Sequence, residues 1–221
     1  PWGYTTAHTP DDAQLRGMAN VMADDGNYQV GQAPELLYEV NGGSMDWGYG
    51  ATNEHPKIYS FTTEFGGSGF WPAPSERDGL IAENLRSNLY LCQTAGVYLQ
   101  LASIGVTGGN GNGRLDPGET AALTATVQNP GYVYAAVNAR ISVTCDDPYV
   151  TITDGQSSLG NIAANSSANN NSDYLDLTVS ASCPAGRPAT FRFILEADGF
   201  RVEETRSLTI GQPPIVWSDT F

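Results

Sequence analysis

Basic side chains are scarce in this chain. Ten Lys and Arg stand against 24 Asp and Glu in 221 residues, Lys57 is the only lysine, and the formal net charge is −14. So acidic a chain repels phosphate backbones and anionic lipid surfaces, which argues against nucleic acid or membrane as a partner. Charge of either sign is sparse at 15%, below the ~25% usual in soluble domains, which excludes a disordered polyelectrolyte. No uncharged apolar run approaches the ~20 residues that span a bilayer. The three cysteines, Cys92, Cys145 and Cys183, make neither a C-x-x-C zinc spacing nor a dense disulfide framework. The two histidines, His8 and His55, are far apart, and neither lies in an H-x-x-E pair. The chain opens on Pro1 with no basic or apolar leader, as a processed product or an internal piece would. What is abundant is turn-forming: 25 Gly and 13 Pro, with 40% hydrophobic residues to build a core. The low lysine and high Ser, Thr and Asn content suit a secreted, extracellular protein.

The character changes near residues 97–108, dividing the chain into 1–97 and 98–213, with 214–221 left over. In the first part, Thr9-Pro10-Asp11-Asp12 reads as an N-cap, a proline in the first turn and two acids, followed by Leu15, Met18, Ala19 and Met22 at helical spacing. Ile58–Phe65 reads as a strand. Pro74-Ser75-Glu76-Arg77-Asp78 opens a second helix with Ser75 as its cap, and Ile81, Leu85, Leu89 and Cys92 carry its apolar face. Helices mixed with a near-continuous apolar strand predict an α/β domain. After Gly105 the period is two. Leu123, Ala125 and Val127 make one alternating set, and Ile141, Val143 and Cys145 a second. Leu175, Leu177, Val179, Ala181 and Cys183 make a third, and Phe191, Phe193 and Leu195 a fourth; Val202, Leu208 and Ile210 suggest a last strand. Short alternating strands between Gly, Pro and Asn turns predict an all-β, immunoglobulin-like sandwich. Asn165–Ser172 reads as a polar loop. Cys145 and Cys183 are in phase with the inward residues and are expected to pair as a disulfide, leaving Cys92 as a buried thiol.

Glu64 is the one charge in the apolar run 58–65, at its C-terminal end and just before Gly66-Gly67. It is either a surface-reaching carboxylate at a strand end or a functional one, because ligands bind at that edge of α/β sheets. The stretch Tyr38-Glu39-Val40-Asn41-Gly42-Gly43-Ser44-Met45-Asp46-Trp47, then Tyr59-Ser60-Phe61-Thr62-Thr63-Glu64-Phe65-Gly66, resembles the C-terminal part of the zinc carboxypeptidases. Pro1-Trp2-Gly3-Tyr4-Thr5 is similar to that family's Y-P-x-G-Y segment, and Gly69-Phe70 to its G-F-x-x-P, so the likeness covers residues 1 to about 96. The resemblance implies that Glu64 is the general base and acid of peptide hydrolysis, acting on zinc-bound water. It makes Tyr38 the tyrosine that closes over the substrate's C-terminal end, and it places Met45 in the side-chain pocket and Phe70 in the cleft. An apolar Met45 implies apolar or aromatic C-terminal residues, and Asp46 and Trp47 serve as supports. It further implies zinc as cofactor and peptide or protein C-termini as substrate. The family's H-x-x-E pair, third zinc histidine and carboxylate-binding arginines have no counterpart here, which puts them upstream of Pro1; the chain alone is then inactive. His8 and His55 are expected to be loop or cap residues.

In the second part, Asn110-Gly111-Asn112-Gly113-Arg114-Leu115-Asp116-Pro117-Gly118-Glu119 resembles an N-G-D-G-x-x-D-P-G-E loop of secreted bacterial β-sandwich modules and, loosely, a calcium loop. Side-chain oxygens of Asn110, Asn112, Asp116 and Glu119, around Arg114, would wrap a hard cation. The other reading is a Gly- and Asn-rich turn, and Asn112 in place of Asp weakens the first. Residues 214–221 resemble the opening strand of a further module. The whole predicts part of a secreted zinc metallocarboxypeptidase with an accessory β-sandwich. The rivals are a catalytically dead peptidase-like binding protein and a carbohydrate-binding sandwich, for which Tyr132 and Tyr134 are the only candidate aromatics.

Overall fold

The computed structural model describes residues 1–23, 28–64, 66 and 69–212. The backbone divides into two compact units, Pro1–Ala95 and Gly96–Phe221. The expected strand opening at 214–221 and the expected strand end Phe65 lie outside the described residues.

Among the described residues the first unit holds four helices: α1 (Asp12–Ala23), α2 (Ala33–Leu36), α3 (Ser44–Gly50) and α4 (Arg77–Thr94). α1 buries Leu15 and Met18, as its spacing predicts. Its start differs from the expectation. The Thr9 carbonyl, not its hydroxyl, accepts the Asp12 N–H at 3.1 Å, and Thr9 Oγ1 is buried with no partner. The Asp11 carboxylate turns away from the helix and accepts from Tyr49 Oη at 2.7 Å and Lys57 Nζ at 2.5 Å.

α4 corrects the reading twice. Its N-cap is Glu76, not Ser75, and the Glu76 carboxylate reaches back to the Ala73 N–H at 2.8 Å. The apolar stripe Ile81, Leu85 and Leu89 is 59%, 57% and 52% exposed, and Cys92 is exposed as well. The helix instead buries Asn84, Ser87, Tyr90 and Thr94. Hydrogen bonds make that tolerable: Ser87 Oγ donates to Met22 O of α1 at 2.8 Å, and Thr94 Oγ1 to Tyr90 O at 2.8 Å. Amphipathic spacing names the face that gains from cover; what lies opposite decides which face is covered, and here α1 lies against the polar one.

The strand expected from Ile58 is also not formed. Residues 58–64 carry no sheet pairing, and the described residues of this unit contain no strand. A strand exists only with a partner for its backbone groups. Ile58 N–H finds one in α3, donating to Gly48 O at 2.9 Å. The helical half of the expected α/β layer is therefore present without its sheet.

The described residues of the second unit are all β, with nine antiparallel strands: β1 (Gln100–Gly108), β2 (Thr120–Asn129), β3 (Ala136–Cys145), β4 (Val150–Asp154), β5 (Gln156–Ile162), β6 (Ser166–Asn169), β7 (Leu175–Val179), β8 (Arg187–Ala197) and β9 (Phe200–Ile210). One sheet runs β1-β2-β7-β4 with β6 also on β2; the other runs β5-β3-β8-β9. Most of the period-two residues behave as predicted, but Ala181 lies beyond the end of β7 and is exposed. Leu123, Val127, Ile141, Leu175, Leu177, Phe191, Phe193, Leu195 and Ile210 belong to one buried core.

The polar stretch 165–172 is not simply a loop, because its Ser166–Asn169 is β6, paired with Thr126–Asn129. β7 pairs with the other half of β2, at Thr120–Leu123, and the buried Asn170 fills the gap between. Its Oδ1 accepts the Ala125 N–H at 2.6 Å, and its Nδ2 donates to Leu123 O at 3.1 Å. A side-chain amide thus stands in for a missing strand rung. Glu204 and Arg206 of β9 do the same at the β1 bulge, bonding the Leu101 N–H and C=O at 2.8 Å each.

No disulfide joins Cys145 and Cys183, since both are free thiols. β7 ends at Val179, so Cys183 is not the fifth residue of an alternating set but lies in the turn beyond it. Its thiol donates to Pro184 O at 3.7 Å, while Cys145 ends β3 opposite Phe191. Burial pushes both thiols up from their usual range. Unfolding without reductant is therefore expected to release three titratable thiols. In the native chain, Cys92 should react with an aromatic disulfide reagent well before the other two. A count of one would restore the pairing.

Candidate functional site

The expected catalytic and substrate-binding residues come from the first unit and sit on short, irregular elements, while the expected calcium ligands lie in the second. α3 starts at Gly43, its N-cap, and puts Met45, Asp46 and Trp47 in its first turns. It packs closely on the segment that ends in Glu64: a Cβ on Gly48 would come within 2.8 Å of Ser60 Oγ. Thr62 Oγ1 donates to Met45 Sδ at 3.0 Å. The structure therefore brings the expected pocket residue Met45 against the Glu64 segment, two residues before the carboxylate.

Glu64 itself is exposed. Tyr38 is 71% exposed, and Phe70 and the adjoining Trp71 are fully so. Among the described residues no hydrogen bond joins Glu64, Tyr38 or Phe70 to one another. Asp46 is a support, as expected, accepting the Gly3 N–H at 3.1 Å. Trp47 donates from Nε1 to Glu54 at 3.1 Å and lies against the His55 ring, centroids 4.3 Å apart. Thr62 joins the site although only its place two residues before Glu64, in a T-x-E run, signals it in the sequence. Gln32 carries no catalytic motif, and its only sequence signal is the Gln-Ala-Pro-Glu start of α2, where Glu35 accepts its N–H.

Neither histidine is placed to hold a metal. His8 lies 3.1 Å from Asp12 and 3.4 Å from Glu35, a promising donor set by type. Arg16 occupies it, with Nε 2.9 Å from Asp12 and Nη2 2.8 Å from Glu35. The guanidinium holds Glu35 below the usual carboxylate range. Burial pushes Asp12 up, but hydrogen bonds to His8 and Arg16 outweigh that and leave it lowered. His55 Nδ1 lies 2.7 Å from Pro56 O. Among the described residues no group of three or more His, Cys, Asp and Glu could hold a metal ion. The zinc implied by the sequence resemblance thus does not fit the residues present.

The calcium expectation gains no support either. The loop's oxygens are spent on its own donors: Asn110 Oδ1 accepts the Asn112 N–H at 3.0 Å and Asn112 Oδ1 the Arg114 N–H at 2.8 Å. Asp116 Oδ2 takes both Asn side-chain amides, at 3.0 and 2.6 Å. Glu119 accepts the Asn110 and Asp116 N–H groups at 2.9 and 3.1 Å. These bonds hold a turn, with the Arg114 cation at its rim.

Residues 1–87 match the family model described as zinc carboxypeptidase. A stretch of 75 residues, 31% of this chain, is 35% identical to carboxypeptidase A1 of Bos taurus. That stretch covers 17% of the bovine protein. The first unit is thus similar to a portion of a zinc carboxypeptidase, while the second unit lies outside the matched region.

Proposed function

We propose that residues 1–97 form the C-terminal part of a peptidase domain that removes C-terminal residues from peptides. The observation that carries this reading is the family match over residues 1–87. It gains support from the contact of Met45 with Thr62, which sets the pocket residue beside the segment bearing Glu64. In this reading Glu64 moves a proton from the attacking water to the leaving amine. Tyr38 hydrogen-bonds the substrate's C-terminal end, and Phe70 borders the cleft. The zinc such an enzyme uses would supply electrophilic activation of the scissile carbonyl and be held by residues outside this chain. The two antiparallel sheets of the second unit are read as an immunoglobulin-like accessory module of a secreted protein, with 214–221 opening another.

Substrate preference tests the assignment. In this reading Met45, partly buried on α3, supplies an apolar, polarisable wall of the pocket. The peptidase carrying this chain together with its zinc ligands is expected to release C-terminal Phe or Leu faster than Lys or Arg. Met45→Asp should shift preference toward basic ends, since a pocket carboxylate needs a cationic partner. Faster release of Arg by the unmodified enzyme would sink the pocket assignment. No cleavage at all would favour the binding-protein rival.

A further inference from the structure

The turn at residues 2–7 holds both ends of the segment that carries Tyr38. Ahead of Tyr38, Gln32 sits at the start of α2, and the two N–H groups of its Nε2 are shared among three carbonyls of that turn: Trp2 at 2.6 Å, Thr5 at 3.0 Å and Ala7 at 3.0 Å. Behind Tyr38, the Val40 N–H donates to Gly3 O at 2.7 Å. The Gly3 N–H in turn donates to Asp46 Oδ1 in the first turn of α3. Gly3 therefore links Val40 to Asp46 through its two backbone groups. The fit at Gly3 is close, since a Cβ there would lie 3.2 Å from Val40 O and 3.7 Å from Asp46 Oδ2.

The base of this arrangement is itself fixed. Trp2 has φ of 62°, a left-handed conformation that a bulky residue keeps only where its surroundings over-determine it. The Gln32 bond to the Trp2 carbonyl is one such constraint. α2 is held in turn by Glu35, which accepts the Gln32 N–H at 2.8 Å and binds Arg16 of α1 through both carboxylate oxygens. Beyond Val40, the chain passes Gly42 with φ of 73° before α3 begins. What remains between the two pins is Leu37, Tyr38 and Glu39, all exposed.

We propose that Gln32 and Asp46 are positioning residues for Tyr38, pinning the two ends of its segment to the turn at residues 2–7 and confining its travel to Leu37–Glu39. The proposal rests on reading Tyr38 as the residue that grips the substrate. Short tethers on both sides allow the tyrosine ring to swing without letting its backbone wander, so each excursion returns it to the same place.

The test uses the 221-residue chain labelled with fluorotyrosine. The Tyr38 fluorine resonance is the one lost in Tyr38→Phe, and hydrogen exchange reads the Val40 amide. Gln32→Glu keeps the side chain's shape but sets a carboxylate against three carbonyls. Asp46→Ala removes the acceptor for Gly3, and Asp46→Asn keeps it. Gln32→Glu and Asp46→Ala are each expected to speed Val40 exchange at least about tenfold and to move the Tyr38 resonance toward that of free fluorotyrosine. Asp46→Asn should leave both near the parent's. The Leu15 amide of α1, bonded to Asp11 O at 3.0 Å, should stay protected throughout. Unmoved Val40 exchange and Tyr38 resonance in both variants would overturn the proposal. So would an Asp46→Asn chain that behaves like Asp46→Ala, or a loss of Leu15 protection alongside Val40 in both variants. Neither readout needs zinc or substrate, so the pins can hold where the peptidase reading fails, and their failure leaves that reading to its own test.

Discussion

On the proposed peptidase reading, glutamine in place of Glu64 is expected to lower kcat/KM by about 10²- to 10⁴-fold, the usual contribution of a general acid–base group, in a protein that carries this chain together with zinc ligands. Gln matches Glu in size and accepts a hydrogen bond through its carbonyl, but it cannot take up and return a proton. Zinc content should be unchanged, because Glu64 is assigned to proton transfer and not to ligation. The 221-residue chain by itself is expected to hold far less than one equivalent of zinc and to leave C-terminal residues uncut. The reason is local: His8, Asp12 and Glu35 are already closed around the Arg16 guanidinium, and a divalent cation would have to displace a permanent positive charge. Metal analysis after dialysis, together with release of Phe from a blocked dipeptide, checks both statements. One bound zinc per isolated chain, or full turnover in Glu64→Gln, would overturn this division of roles.

The two units were legible to very different degrees, and the reason is physical. In the second, alternation is a property of the chain that the fold must satisfy locally, because every inward residue faces the same core. Leu123, Leu177 and Phe193 could be placed inside before any partner strand was known, and all three are fully buried. The errors there come from polar residues that build structure through the backbone. β6 is Ser-Ser-Ala-Asn, which carries no hydrophobic period, and it is fixed by pairing to β2 and by the Asn170 amide. Cys183 follows the period of β7 by number and is buried in the core as that period predicts, but the strand stops at Val179, so the thiol sits in the turn beyond and forms no disulfide with Cys145.

In the first unit the motif was legible and its setting was not. The order Tyr38, Gly42-Gly43, Asp46-Trp47, Glu64 resembles a family's pattern without fixing which surfaces are covered. The stripe Ile81, Leu85, Leu89 has the spacing of a core face and lies in solvent, while Ser87 and Thr94 are inside. Residues 58–64 have the composition of a strand and no ladder. Among the described residues the stripe stays open to solvent and 58–64 has no partner strand, and propensity alone cannot supply either. The contacts that are present, Gln32 to the 2–7 turn and Thr62 to Met45, are made by single polar side chains. Such contacts leave no periodic trace in a sequence.

Phe193→Ala is expected to remove much of the stability of the second unit while leaving the first unit's helices in place. Phe193 is fully buried in β8, the central strand that pairs with both β3 and β9, and it stands opposite Val143 on one side and Glu204 on the other. Its ring belongs to the core shared with Leu123, Leu177 and Leu195. Truncation deletes that contact area and leaves a cavity that paired strands on both flanks cannot collapse into, so the cost should reach about 3–5 kcal/mol. With a urea dependence of about 1–3 kcal/mol per molar for a domain of this size, the midpoint should fall by roughly 2 M. Phe193→Leu refills most of the volume and should recover more than half of the loss. By contrast Thr205→Ala, on the outer edge strand β9 and exposed, should stay within about 0.5 kcal/mol of the parent. Urea unfolding followed by far-ultraviolet circular dichroism near the β minimum reads all three. A Phe193→Ala midpoint indistinguishable from that of Thr205→Ala would mean that the two sheets do not share the single close-packed core described above.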